Sequence, residues 1–243
     1  SAVKPVEPVF LDFKKDMSQL TAKSDIPVLY KQNVTNDLFQ LIYVFDMGNN
    51  NDKALGTAFD YLEYLGTSDM TPEELKSEFY RLACTFYVSP GNERTYVVLS
   101  GLNENMPAAM QLFEKLLADA QVNKEAYDNL VGDILKARAD AKLNQGQNFS
   151  RLMNYAMYGP KSPATNLLTE AELASMNPQE LVDRIHNQNN YKHRILYYGP
   201  SSSKDLLATI DQYHQVPATL KDIPAGNEFS YLETPATKVL VAP

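Results

Sequence analysis

A single cysteine, Cys84, stands in 243 residues. One thiol closes no disulfide within the chain and builds no cysteine-rich zinc site. Long apolar runs are missing as well. The longest candidates, Leu41 to Phe45 and Val239 to Ala242, have strand length, whereas a membrane-spanning helix needs roughly 18 residues. Basic residues are outnumbered, 22 Lys and Arg against 30 Asp and Glu, for a formal charge of −8. That balance repels phosphate backbones and anionic lipid, so no nucleic acid and no membrane span is expected. It suits basic peptides, and it equally suits a solvated acidic surface. Only three histidines occur, His186, His193 and His214, none with a second histidine or cysteine at metal-ligand spacing. Each reads as a surface or helix-end residue. Neither a Gly-x-Ser-x-Gly elbow, a Gly-x-Gly-x-x-Gly loop nor a Gly-Lys-Ser/Thr phosphate loop is present.

What remains is the composition of a globular domain, 44% hydrophobic and 21% charged, in which strand-like and helical patterns alternate. Ile26 to Gln32 and Leu38 to Met47, separated by the turn residues Asn33 to Asp37, read as a hairpin. Thr85 to Ser89 and Arg94 to Gly101 read as a second strand pair around Pro90-Gly91-Asn92. Helical spacing covers Lys53 to Leu65, a stretch opened by the capping box Thr71-Pro72-Glu74, Glu104 to Ala120, Lys124 to Asn144, and Phe149 to Tyr158. Short helices follow behind Thr169 and Asn177, then a strand at Arg194 to Tyr198 and a helix at Ser203 to Tyr213 capped by the serines after Gly199-Pro200. Phe229 to Leu232 and the run Thr237 to Pro243 have strand character. The expected class is α+β, a mainly antiparallel mixed sheet of about five to six strands packed against helices. Residues 1–16 read as a linker, 17–215 as the domain, and 216–243 as a linker with the start of a following domain. Cys84, among Leu82, Ala83 and Phe86, reads as a small buried hydrophobe.

On a helical wheel, Leu55, Ala58, Phe59, Leu62 and Leu65 form a core stripe, with Asp60, Glu63 and Tyr64 opposite. Alone, such a helix is an ordinary surface helix with a solvated polar face. Tyr61, Tyr64, Tyr80, Tyr87 and Tyr96 are candidates to line a peptide groove, and most of them are expected to pack against the sheet.

The neighbourhood of this helix is more informative. The order hairpin, Gly48, polar turn, Gly56 and then Phe59-Asp60-Tyr61-Leu62-Glu63-Tyr64-Leu65-Gly66-Thr67 resembles the opening of a peptidase domain of the pitrilysin/insulinase (M16) zinc metallopeptidase family. Thr71-Pro72-Glu73-Glu74-Leu75, Tyr96 to Leu102, Ala108 to Leu117, Tyr158-Gly159-Pro160-Lys161-Ser162-Pro163 and the stretch from Asn177 to Gly199 resemble later pieces of that family in the same order. The resemblance implies the LuxS/MPP-like M16 peptidase fold. In active members it also implies a His-x-x-Glu-His helix, whose two imidazoles hold Zn²⁺ while the glutamate activates the metal-bound water. Here Asp60 and Tyr64 stand where the histidines would be, and only Glu63 matches. The family's third ligand, a glutamate further along, has no counterpart; Asp133 and Asp140 are the nearest acids. Arg81 and Tyr87 are six residues apart, not the seven of the family's substrate-steadying pair, and that role is not transferred.

The resemblance therefore implies a degenerate domain without catalytic, metal or cofactor residues of its own. Zinc would sit in the catalytic domain of a bacterial, periplasmic parent protease. The expected partners are the catalytic half of the same polypeptide and peptide substrates, with this domain walling the peptide-enclosing chamber. The alternative is a free-standing inactive homologue that pairs with a separate catalytic subunit. A third reading is a metal-dependent hydrolase using Asp60, Glu63 and another acid.

Overall fold

The computed structural model describes residues 8, 10 and 12–241. Its strands are β1 (Ser18–Ala22), β2 (Ile26–Gln32), β3 (Leu38–Phe45), β4 (Cys84–Pro90), β5 (Thr95–Leu102) and β6 (Arg194–Gly199). The helices are α1 (Phe13–Asp16), α2 (Leu55–Leu62), α3 (Pro72–Arg81), α4 (Met106–Asp119), α5 (Lys124–Lys142), α6 (Gln145–Tyr158), α7 (Glu170–Ser175), α8 (Gln179–Asn187) and α9 (Ser203–Tyr213). The strands form one sheet in the order β1-β2-β6-β3-β5-β4. Among the described strands only the β2–β6 pairing is parallel, so the α+β class with a mainly antiparallel mixed sheet is what the chain adopts.

Alternation along the strands decides which face is covered. In β3, Phe39, Leu41, Tyr43 and Phe45 are buried, and in β2, Ile26, Val28 and Tyr30. These side chains meet the inward stripes of α2, α4, α8 and α9, including Leu55, Phe59, Met110, Phe113, Leu181, Ile185, Leu206 and Ile210, all in one core. On the other face, Leu29, Ile42 and Leu196 are only half-buried and Tyr198 is exposed.

Two expectations change. β2 and β3 are not a hairpin: β6 lies between them, parallel to β2 and antiparallel to β3. The linking segment passes over the end of β6, held by a hydrogen bond from Asn33 N to the Gly199 carbonyl at 2.8 Å. A five-residue link spans the roughly 10 Å of two strand spacings as readily as it closes a turn. The second change is at the carboxyl end. Phe229 to Leu232 and the described part of Thr237 to Pro243 form no strand; Ala242 and Pro243 lie outside the described residues. The segment from Gln215 to Val241 runs instead as an irregular strap. Lys192 N and Lys221 N bond the carbonyls of Lys221 and Asn190, Asn227 N bonds Asn50 O, and Leu232 N bonds Met157 O.

Glycine sets both ends of α2. A Cβ on Gly48 would fall 2.4 Å from the Gly91 carbonyl, and one on Gly66 2.3 Å from the Met70 carbonyl. The loop ahead of α2 therefore rests directly on the β4–β5 turn, where Asn49 N and Asn50 N bond the carbonyls of Gly91 and Asn92. Downstream, Thr71 and Glu74 cap α3 reciprocally, with Pro72 in its first turn, as the sequence predicts.

Candidate functional site

Helix α2 buries Leu55, Ala58, Phe59, Tyr61 and Leu62. Tyr61, fully buried, is held by its hydroxyl, which donates to Asn123 O at 2.6 Å and accepts from Asn123 N at 2.8 Å. Asp60, Glu63 and Tyr64 are exposed on the far side. The helix is shorter than its periodicity suggests, ending at Leu62, after which Tyr64 N and Leu65 N bond carbonyls only three residues back. That tightening turns Leu65 into the core, where it is 2% exposed. It also takes Tyr64 off the regular turn that would stack it over Asp60.

The donors at this place are two carboxylates and a phenol. Loss of water raises the Asp60 carboxyl above its ordinary range, and the Glu63 carboxylate adds to the effect. Asp133 and Asp140 are exposed on α5. Among the described residues no three His, Cys, Asp or Glu side chains are grouped to hold a metal ion. A set without imidazole or thiolate does not fit the zinc of an active M16 helix, which needs three protein ligands around an activated water. Arg81 is engaged by Glu78 at 2.7 Å on its own helix.

Beside these positions lies a cleft of about 890 Å³, lined by Phe59, Glu63, Tyr64, Lys76 and Phe79 among others. Tyr80, Tyr87 and Tyr64 stand around it at 88%, 51% and 45% exposure. Of the five candidate tyrosines only Tyr61 is buried, because Tyr80 points off α3 and Tyr87 and Tyr96 off the uncovered sheet face. The cleft runs along β4, the outermost strand on this side. Hydrogen bonds from Leu102 N to Ala83 O and from Gly91 N to Arg94 O bracket the β4–β5 pairing. Odd-numbered residues of β4 therefore bond β5, and Phe86 and Val88 turn their backbone N–H and C=O outward. Pro90, which has no N–H to offer, occupies another outward position, as edge strands allow. Cys84 is buried at the head of this strand, and burial pushes its thiol up, away from reactivity.

The histidines depart furthest from expectation. His214, wholly buried, and His193, 7% exposed, face each other through Nε2 at 2.8 Å. His214 Nδ1 meets Glu114 Oε1 at 2.6 Å, and His193 Nδ1 donates to the Tyr191 carbonyl at 2.7 Å. Glu114, also wholly buried, further accepts from Tyr43 Oη, Asn189 Nδ2 and Gln215 N at 2.9–3.0 Å. Single histidines 21 residues apart carry no local signal of this; the glutamate within the apolar stripe of α4 was the one available clue. His186, on α8, is half-buried against the Ala120 carbonyl.

Burial, and second the His214 ring, bring the His193 imidazole from its ordinary 6.5 down to about 4. A base whose folded value lies below its unfolded one favours the fold while neutral. This contribution is fully present above about pH 6.5 and is lost as pH falls toward 4. It amounts to about 3 kcal/mol in all, with about 2 kcal/mol lost between pH 7 and pH 5. Urea unfolding at those two pH values measures it. The drop is expected to vanish in His193→Gln, and an equal drop in that variant would contradict the assignment. Glu172, held at about 2 mainly by Lys53, contributes in a separate window, lost as pH falls from 4.5 toward 2.

No protein-family model matches the chain, and no curated protein matches its sequence. Solved structures do match its shape. The periplasmic protease PqqL from Escherichia coli superimposes with a TM-score of 0.77 at 15% identity, over 91% of this chain and 25% of that one. A peptidase M16 inactive domain from Pseudomonas fluorescens gives 0.72 at 16% identity, over 88% and 54%. A protease from Helicobacter pylori gives 0.66 at 12%, over 87% and 53%. The chain thus spans a quarter to about half of the length of these proteins. With its six-stranded mixed sheet packed against helices, the chain has the fold of an M16 peptidase domain.

Proposed function

We propose that the chain is a noncatalytic M16-type domain of a larger bacterial zinc metalloprotease, walling the peptide-enclosing chamber and contacting substrate or the catalytic half. The observation that carries this reading is the donor set of α2, where Asp60 and Tyr64 replace both imidazoles and the helix stops between them. Its shape is shared with an inactive M16 domain, and it spans only part of each similar protein. Zinc belongs to the catalytic domain of the parent, and the periplasm to its setting, as for the E. coli protease. Purified chain incubated with unstructured peptides and added zinc is expected to show no turnover, with Glu63→Gln indistinguishable from it. Zinc-dependent cleavage that Glu63→Gln abolishes would overturn the reading.

The place of contact in this proposal is the β4 cleft. Backbone groups at Phe86 and Val88 that no described residue pairs offer a strand partner, and the aromatic lining offers apolar area with polar tips. Val88→Pro removes an outward N–H without touching the bonds to β5. It is expected to weaken binding of a fluorescein-labelled extended peptide with alternating apolar residues about tenfold, one lost backbone bond in a water-poor cleft. The melting temperature should stay nearly the same. Unchanged binding would remove β4 from the contact surface.

A further inference from the structure

The carboxylate–imidazole–imidazole row of Glu114, His214 and His193 has no part in the proposed peptide contact, yet it sits where the strap joins the domain. His214 is the last residue of α9's cap, and Gln215, the first of the strap, donates its N–H to Glu114 Oε2 at 3.0 Å. On the other side, His193 follows the segment that holds Lys221, with Lys192 N donating to Lys221 O at 2.9 Å and Lys221 N donating to Asn190 O at 2.7 Å. The two rings thus tie together two points of the chain, each of which grips the strap.

Proton accounting fixes what the row tolerates. His193 Nδ1–H must donate to the Tyr191 carbonyl, so its Nε2 is an acceptor in the neutral ring, and His214 Nε2–H donates to it. One proton is shared between His214 Nδ1 and Glu114 Oε1, as imidazolium and carboxylate or as neutral imidazole and acid; either way the row is uncharged overall. Tyr43, whose phenol burial and the Glu114 charge keep protonated, donates to Glu114 as well. A proton added to His193 sets N–H against N–H across 2.8 Å. Any rearrangement that relieves this leaves one net positive charge among side chains that are almost wholly buried.

The groups facing the row are few. β3 supplies Tyr43 and the Phe45 ring, whose centroid is 4.6 Å from that of His193. α4 supplies Glu114, and the segment after α8 supplies Asn189 and the Tyr191 carbonyl. From the strap come Gln215 N–H and, at the surface, Asp222, paired with Lys192. His186 lines the cavity of about 280 Å³ beside Glu114 and Gln215.

We propose that this row is an acid-operated latch: a proton taken up by His193 breaks its bond to His214 and releases residues 215–227 of the strap from residues 190–192 and from the loop ahead of α2, where Asn227 N bonds Asn50 O and Asn51 Nδ2 donates to the Pro224 carbonyl at 2.8 Å. The depressed affinity of His193 for a proton in the closed state sets the size of the effect. Amide hydrogen exchange followed by NMR at pH 7 and pH 5, converted to protection factors, tests it at Gln215, Lys221 and Asn227. Protection there is expected to fall about twentyfold over that interval, the ratio that linkage to His193 allows, while staying below that of the β3 and β5 core amides at both pH values. In His193→Gln the fall should disappear. Strap protection that is flat in the wild-type chain, or that equals the core value, means that His193 is freed only by global unfolding and overturns the latch. So does a twentyfold fall that persists in folded His193→Gln. The wild-type comparison decides the matter even where the variant does not fold, and neither outcome depends on peptide binding.

Discussion

Glu114→Ala is expected to lower the unfolding free energy by about 3 to 5 kcal/mol, the cost of removing one partner from a fully buried charged network. The carboxylate accepts from Tyr43 Oη, Asn189 Nδ2 and Gln215 N and shares a proton with His214 Nδ1, and alanine deprives all four of this partner, with Tyr43, Asn189 and His214 almost wholly buried. Each orphaned neutral donor alone costs about 1 to 3 kcal/mol. The Gln215 N–H, at the exposed start of the strap, turns to water instead, which keeps the total below the simple sum. Glu114→Gln, equal in shape, retains one oxygen but turns an N–H₂ toward groups that are themselves donors, so it should fall between the wild type and alanine. Equilibrium urea unfolding at pH 7 ranks the three. A loss under about 1 kcal/mol for alanine would mean that water enters the 280 Å³ cavity beside the site and replaces the carboxylate.

This network also shows where sequence reading stops. Local chemistry was readable: the capping box of Thr71 and Glu74, the strand pair around Pro90-Gly91, the buried Cys84, and the exposure of Asp60, Glu63 and Tyr64 opposite the core stripe all lie within one or two turns of their signals. Contacts across the chain were not. Nothing in Ile26 to Phe45 says that Arg194 to Gly199, some 150 residues later, enters between its two strands, because alternation records which face is buried and not which neighbour supplies the hydrogen bonds. β1 went unseen for a related reason. Among Ser18 to Ala22 only Ala22 is buried, so the strand has almost no periodicity to read. His193 and His214 illustrate the same limit, since each looks like a surface residue until the fold brings it to Glu114, which is itself isolated in an apolar stripe. The end of α2 at Leu62 follows from tertiary packing as well: Leu65 and Gly66 are pulled inward against the 70–72 turn, and the regular helix stops to let them.

Phe113→Ala is expected to cost about 3 to 5 kcal/mol in stability, the range for deleting a wholly buried aromatic ring, and to damage the peptide cleft besides. Phe113, on α4, has no exposed surface and packs against Phe86 of β4 with ring centroids 4.9 Å apart; Phe86 in turn meets Phe79 of α3 at 4.9 Å. These three rings form a row from the core to the floor of the cleft, and Phe86 is also one of the residues whose backbone faces the open edge. With Phe113 truncated, the vacated space lies directly beneath Phe86. Inward movement of that ring recovers part of the cavity energy, but it tilts β4 and withdraws the apolar floor on which an added strand would rest. Phe113→Leu keeps most of the volume and should cost no more than about 1.5 kcal/mol, with the floor in place. Binding of the labelled extended peptide, measured at a temperature where both variants are folded, should therefore weaken in Phe113→Ala and stay near the wild-type value in Phe113→Leu. Equal affinity in both, despite unequal stability, would show that the cleft does not depend on the row beneath it and would shift the peptide contact to the Tyr64 and Tyr80 rim.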